Sequence, residues 1–143
     1  MLGHLSRALS ASLGSQAAWF LARLLLVSAY LVGGIAKLAD WPAALAEQAH
    51  FGMTPPAVWA ALTIAVELIG AGLILLGRAV WLGAGLLGGF TLLAAVVAND
   101  FWTMTGAARF HAANAFFEHL GLVGAFILSA RLAPPRSSMT ADG

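Results

Sequence analysis

The sequence predicts an all-α integral membrane protein folded as a four-helix bundle. Three observations carry this. Of its 143 residues 61% are hydrophobic and only 9% charged, whereas a soluble domain keeps about 25% charged residues to stay solvated. Four apolar segments follow one another, each about twenty residues long, the length a helix needs to cross a bilayer. Strand-like alternation is missing, and in lipid a helix satisfies its backbone hydrogen bonds within its own segment.

Taken in order, residues 1–16 place Leu2, Leu5, Leu9 and Leu13 at near-helical spacing beside Arg7. This predicts a cytoplasmic or interfacial segment rather than a secretory signal, since no continuous apolar core is present. The four spans are expected at about 17–38, 57–77, 79–98 and 113–132, together a transmembrane domain over 17–132. The link Gly77-Arg78 is so short that the second and third spans form an antiparallel hairpin. Gly70, Gly72, Gly83, Gly85, Gly88, Gly89, Gly121 and Gly124 supply small faces for close helix approach. Trp19, Trp41, Trp59, Trp81 and Trp102 fall near span ends, the aromatic belt of a membrane protein. Residues 133–143 are polar, interrupted by Pro134-Pro135, and read as a flexible tail.

Basic residues orient the bundle. Arg7, Arg78, Arg131 and Arg136, with Arg23 just inside the first span, lie on the side of the termini, against Lys37 and Arg109 on the other. Both termini are therefore predicted cytoplasmic, and the long connections 39–56 and 99–112 face outward.

Charge and cysteine content narrow the function. A net charge of +1 with no basic cluster excludes a nucleic-acid partner. Zero cysteines exclude disulfides, thiolate metal ligands, cysteine-ligated iron–sulfur clusters and a CxxC redox pair. No nucleophile–base set or cofactor fingerprint points to an autonomous enzyme. A redox role must then rest on a bound cofactor, a quinone or a partner.

Glu67 is the place to look for function. It is a lone carboxylate near the middle of an apolar run, and a charge at that depth faces a bundle interior, where it is paired or serves a pathway. In the first span Arg23, Tyr30 and Lys37 recur every seven residues and share a stripe roughly 21 Å long, with Gly34 beside it. Counting inward places Tyr30, Glu67 and Thr91 at similar depth, a midplane polar layer toward which Arg23 reaches. The plain alternative is a Glu67–Arg23 pair that only locks the bundle.

A second cluster opens the fourth span, where His111, Asn114 and Glu118 are spaced i, i+3, i+7 on one helical face. Asp100, Arg109, His50 and His119 belong to the same outward side. No HxxxH or HxxE spacing recommends a metal, and no two histidines match in depth for haem. Solvation at the headgroup level is the plain reading of these residues. Phe101, Phe110, Phe116 and Phe117 surround them, as lipid anchors or as the apolar wall a quinone headgroup needs.

Three stretches, RLLLVSAYLVGGIAKLADW, ELIGAGLILLGR and NAFFEHLGLVGAFIL, together with HFGMTP before the second span, resemble the DoxX family of small bacterial membrane proteins. The resemblance runs from about Ala18 to Leu132, with family-like positions at Arg23, Gly34, Lys37, Glu67, Gly70 and Glu118. It implies a four-helix bundle in the bacterial inner membrane. Because the family's namesakes are small subunits associated with a quinol oxidase and a thiosulfate:quinone oxidoreductase, it also suggests quinone-linked electron transfer. Family patterns often show Lys or Arg with Asn where this chain has Glu118-His119.

The expectation is an accessory membrane subunit of a quinone-linked redox complex. Its partners are the lipid bilayer, redox subunits or further copies of the chain. A quinone, or no cofactor, is held by Arg23, Tyr30, Lys37, Glu67, Thr91, His111, Asn114 and Glu118. The alternatives are a structural or assembly protein without a ligand, or a permease. The permease would need an oligomer, since four helices leave little room for a pore and no broken helix is evident.

Overall fold

A computed structural model describes residues 15–133 of the chain. The expected N-terminal segment and C-terminal tail lie outside them, apart from Ser15, Gln16 and Ala133. Among the described residues the elements are α-helical, with one turn of 3-10 helix. Four helices are long and apolar enough to cross a membrane.

Helix α1 (Gln16–Ala39) starts where the Ser15 hydroxyl accepts the Ala18 amide at 3.2 Å, a side-chain cap for one of the free amides of the first turn. It stops at Asp40, which leaves helical geometry at φ −127° and ψ 80°. The Asp40 carboxylate then accepts the Ala43 amide at 3.0 Å and opens a second helix, α2 (Trp41–His50), with Pro42 in its first turn. Proline fits there because its missing amide hydrogen is not needed. The connection expected over 39–56 is therefore mostly helical, a short element of mixed polarity laid beside the bundle.

Helix α3 (Pro56–Leu75) begins on a proline, and α4 (Val80–Ala98) follows after a tight turn. Gly77 (φ 67°) and Ala79 (φ 48°) take left-handed backbone in that turn; glycine adopts it freely, alanine at a steric cost. A 3-10 turn over Phe101–Thr103 leads into α5 (Gly106–Leu132). This last helix starts seven residues before the expected Ala113, because Arg109 and His111 lower the hydropathy of its first turns without interrupting their hydrogen bonds. A membrane helix can extend past the apolar slab, so hydropathy alone cuts it short.

Helix α1 packs on α3, α3 on α4, and α4 on α5, while α2 rests on α3. At the α3–α4 crossing, a Cβ added to Gly83 would stand 2.7 Å from the Gly70 carbonyl oxygen, and one on Gly70 2.8 Å from Leu87. Only glycine permits that approach. By contrast Gly72, Gly85, Gly89, Gly121 and Gly124 would meet nothing within 4 Å, so five of the eight glycines expected to supply small faces meet no neighbouring helix among the described residues. The core joins Val27 and Tyr30 of α1, Ala71 and Ile74 of α3, Val80, Ala84 and Leu87 of α4, and Phe126 of α5. Outside it, Leu25, Ile69, Leu76 and Ile127 are more than half exposed and face the bilayer.

Candidate functional site

The stripe on α1 faces α3, and it carries the polar interior. Tyr30 is buried among Phe90 and Phe126 rings, and its hydroxyl lies 2.5 Å from the Thr91 hydroxyl. Thr91 in turn donates to the Leu87 carbonyl at 2.6 Å. These two expected site residues are thus brought together, and their hydrogen-bonding capacity is largely satisfied between α1 and α4.

Glu67 does not join that layer. Its carbon stem lies against Gly34, and its carboxylate against Gly33, about one helical turn along α1 from Tyr30. The partner is Lys37, whose Nζ donates to both carboxylate oxygens at 3.2 and 3.3 Å. The Glu67 side chain is 6% exposed and that of Lys37 14%. The pair lies directly over Gly33, where a Cβ would stand in ordinary contact at 3.4 Å from Glu67 Oε1 and 3.5 Å from Lys37 Nζ.

The alternative, a Glu67–Arg23 pair, is not formed either. The Arg23 guanidinium lies against Gly77, just past the end of α3, which is ten residues and therefore about 15 Å from Glu67 along the helix axis. The antiparallel register of α1 and α3 explains the exchange. It sets Arg23 level with the α3–α4 turn, and Lys37 close enough to reach Glu67 along its flexible stem. Arg23 instead borders a separate recess of about 540 Å³ with Trp19, Phe20 and Leu132.

Two further residues, unmarked in the sequence, complete the cluster. Glu47 of α2 approaches Lys37 Nζ at 3.8 Å. It also lines an apolar groove of about 430 Å³ between α2, α3 and α4. Trp59, Leu62, Thr63 and Val66 of α3 form one wall, and Leu86, Gly89, Leu93 and Val97 of α4 the other. The first set is spaced i, i+3, i+4, i+7 and the second i, i+3, i+7, i+11, each the pattern of a single helix face. Gln48, only 7% exposed, closes the end of the groove nearest α2. A loop helix of mixed polarity offered no sign of burial in the sequence; Pro42 and the Asp40 cap were the signals that it would fold.

His111, Asn114 and Glu118 stand elsewhere. All three are exposed on α5; Asn114 donates to Glu118 at 2.9 Å, and His111 stacks edge-on against Phe110. His119 turns away to the Ala115 carbonyl at 2.7 Å. Among the described residues no three His, Asp or Glu side chains converge as a metal would require. Phe101, Phe116 and Phe117 pack on one another at the foot of α5.

Chemically, Lys37 is one ammonium between two carboxylates. With all three ionised, one negative charge remains uncompensated where α2 meets the bundle. Such a cluster favours a hydrogen-bond donor, a proton or a cation over an anion.

These features have relatives. The chain is 29% identical over 119 residues to the inner membrane protein YphA of Escherichia coli strain K12, covering 83% of this chain and 85% of that protein. No solved structure matches it. A family model described as DoxX matches residues 18–100, which take in α1 to α4 and therefore the whole Lys37–Glu67–Glu47 cluster and its groove. This multi-pass membrane protein belongs to the DoxX family.

Proposed function

We infer that this chain is an accessory subunit of a quinone-linked redox complex in the bacterial inner membrane. The inner-membrane location is supported by the similarity to the inner membrane protein YphA. One observation carries the rest: the Lys37 ammonium bridges a buried carboxylate on α3 and a second on α2, and that second carboxylate lines a groove walled with hydrocarbon. Ionisable groups inside a membrane domain are costly to keep, and they mark ligand or proton pathways. In this reading Glu67, Lys37 and Glu47 hold or pass a proton beside the ligand, while Tyr30 and Thr91 fix the α1–α4 interface. Arg23, Asn114, His111 and Glu118 are left to contacts with headgroups or partner subunits.

Purification of the tagged chain from native membranes in mild detergent tests this, with mass spectrometry of the bound proteins and lipids. Enriched isoprenoid quinone together with at least one redox subunit is expected. A chain that emerges with bulk phospholipid and no redox protein overturns the reading.

A second reading is a ligand-free assembly protein, favoured by the engagement of both Glu67 oxygens by Lys37. Exchanging the two charges, Lys37→Glu with Glu67→Lys, separates them. A lock survives the exchange with stability and partner capture intact, whereas a ligand or proton site loses its function.

A further inference from the structure

Gln48 poses a specific question. It is 7% exposed where α2 rests on the bundle, and its amide, with two donor hydrogens and one acceptor oxygen, belongs to the lining of the groove beside Glu47. Among the described residues no sealed side-chain polar atom lacks a partner; Gln48 is instead a polar end on a groove whose walls are mostly hydrocarbon. Glu47 stands next to it on the same rim, an acceptor already drawn toward Lys37 at 3.8 Å. From that rim the groove runs along α4 from Ala98 to Leu86, about 18 Å of helix. Its flanks, Leu62 and Leu93, are half exposed and open sideways toward lipid.

We propose that this groove is a lateral binding site for a neutral, single-tailed amphiphile whose head offers a hydrogen-bond acceptor. Gln48 donates to a carbonyl or ether oxygen of the head, and where the head is reduced and carries a hydroxyl, Glu47 accepts from it. The tail lies between α3 and α4, where Gly89 leaves the floor clear, since a Cβ there would meet nothing within 4 Å. The volume of about 430 Å³ lies within the range of roughly 300–1,000 Å³ typical of small-molecule sites. An anionic head is disfavoured by the surplus carboxylate of the Glu47–Lys37–Glu67 cluster.

Naming the head as a quinol or quinone rests on the redox-subunit reading above; the groove and its polar rim do not. The purified chain alone therefore supplies the test, in phosphatidylcholine nanodiscs with no partner present. A short-tailed azido-ubiquinone is photolysed and the labelled peptides are mapped. Saturable labelling confined to the α2–α3 connection and the groove faces of α3 and α4 is expected, competed by decylubiquinone and not by phosphatidylglycerol.

Gln48→Leu, which keeps the volume and removes the amide, should weaken half-maximal labelling about three- to tenfold, the worth of one hydrogen bond. Gly89→Phe should abolish it by filling the floor. That substitution points away from the packed core, so the test stands even where Gln48→Leu folds poorly. Labelling unchanged by both substitutions, spread over the lipid face of α5, or competed equally by phosphatidylglycerol overturns the proposal. Groove binding without any copurified redox subunit would sink the subunit reading and leave this one standing.

Discussion

Two regions of this molecule carry the same kind of residue in the same kind of apolar segment, and they end up in opposite circumstances. On α3, Glu67 is buried and held by Lys37 from α1. On α5, Glu118 is exposed, and its hydrogen bond comes from Asn114 one turn back on the same helix. The first carboxylate ties two helices together; the second is satisfied locally and ties nothing. A charge in a span therefore reports a structural commitment only when its partner lies on another helix. The difference arises from packing, because α3 sits between α1 and α4, whereas α5 packs along one side of α4.

The largest effect should come from breaking the interhelical pair on one side only. Lys37→Ala leaves Glu67 as an unpaired buried carboxylate, and that situation costs about 3–5 kcal/mol. Replacing both partners, Lys37→Met with Glu67→Leu, should recover most of the loss, since two apolar groups of similar shape leave no charge to solvate. Equilibrium unfolding in mixed detergent–SDS micelles measures both variants. Equal destabilisation by the single and the double variant would mean that the pair itself, rather than the orphaned charge, carries the stability.

The glycines extend the comparison to the backbone. Gly83→Ala drives a methyl against the Gly70 carbonyl, 2.7 Å away. Neither backbone can yield without separating α3 from α4, so a loss of about 1–3 kcal/mol is expected. Gly124→Ala on α5, where a Cβ meets nothing within 4 Å, should stay within about 0.5 kcal/mol in the same assay. If the two proved equally costly, α5 would have to pack against something beyond this chain.

Tyr30→Phe removes one hydroxyl from the α1–α4 contact and keeps the ring between Phe90 and Phe126. Thr91 retains its bond to the Leu87 carbonyl at 2.6 Å. The expected loss is therefore a single net hydrogen bond, about 0.5–1.5 kcal/mol in that unfolding measurement. A larger loss would show that the hydroxyl pair is coupled to the Lys37–Glu67 pair one turn away.

Much of this fold was legible because lipid imposes simple rules. Span number, the α3–α4 hairpin and the inward stripe Tyr30–Gly34–Lys37 follow from length, a two-residue turn and helical repeat. Glu67 stood out because a carboxylate in an apolar run must be accounted for. Its partner was less legible. Depth counted from span ends is uncertain by about a turn, and one turn decides between Arg23 and Lys37. Lysine also adds reach, since its flexible stem carries the charge well away from its own backbone position. Helix α2 and the burial of Gln48 depended on tertiary docking onto α3, which no periodicity in ten residues of mixed polarity announces.

The smallest stability effect is expected on α5, and there accessibility is the sharper measurement. Glu118→Gln keeps the shape and the capacity to accept from Asn114. The pair is exposed and local, so the change should fall within about 0.5 kcal/mol. Because the chain has no cysteine, Glu118→Cys and Glu67→Cys each place one thiol in a silent background. A membrane-impermeant maleimide applied to sealed vesicles should modify position 118 from one side only, and position 67 from neither. Glu118 lies twelve residues inside α5, so about 18 Å of helix precedes it. Reaction there requires water to follow the His111–Asn114–Glu118 face inward along the helix. Protection at 118 would mean that lipid, or another protein, covers this face. The exposed carboxylate would then have acquired from outside the chain the kind of partner that Glu67 finds within it.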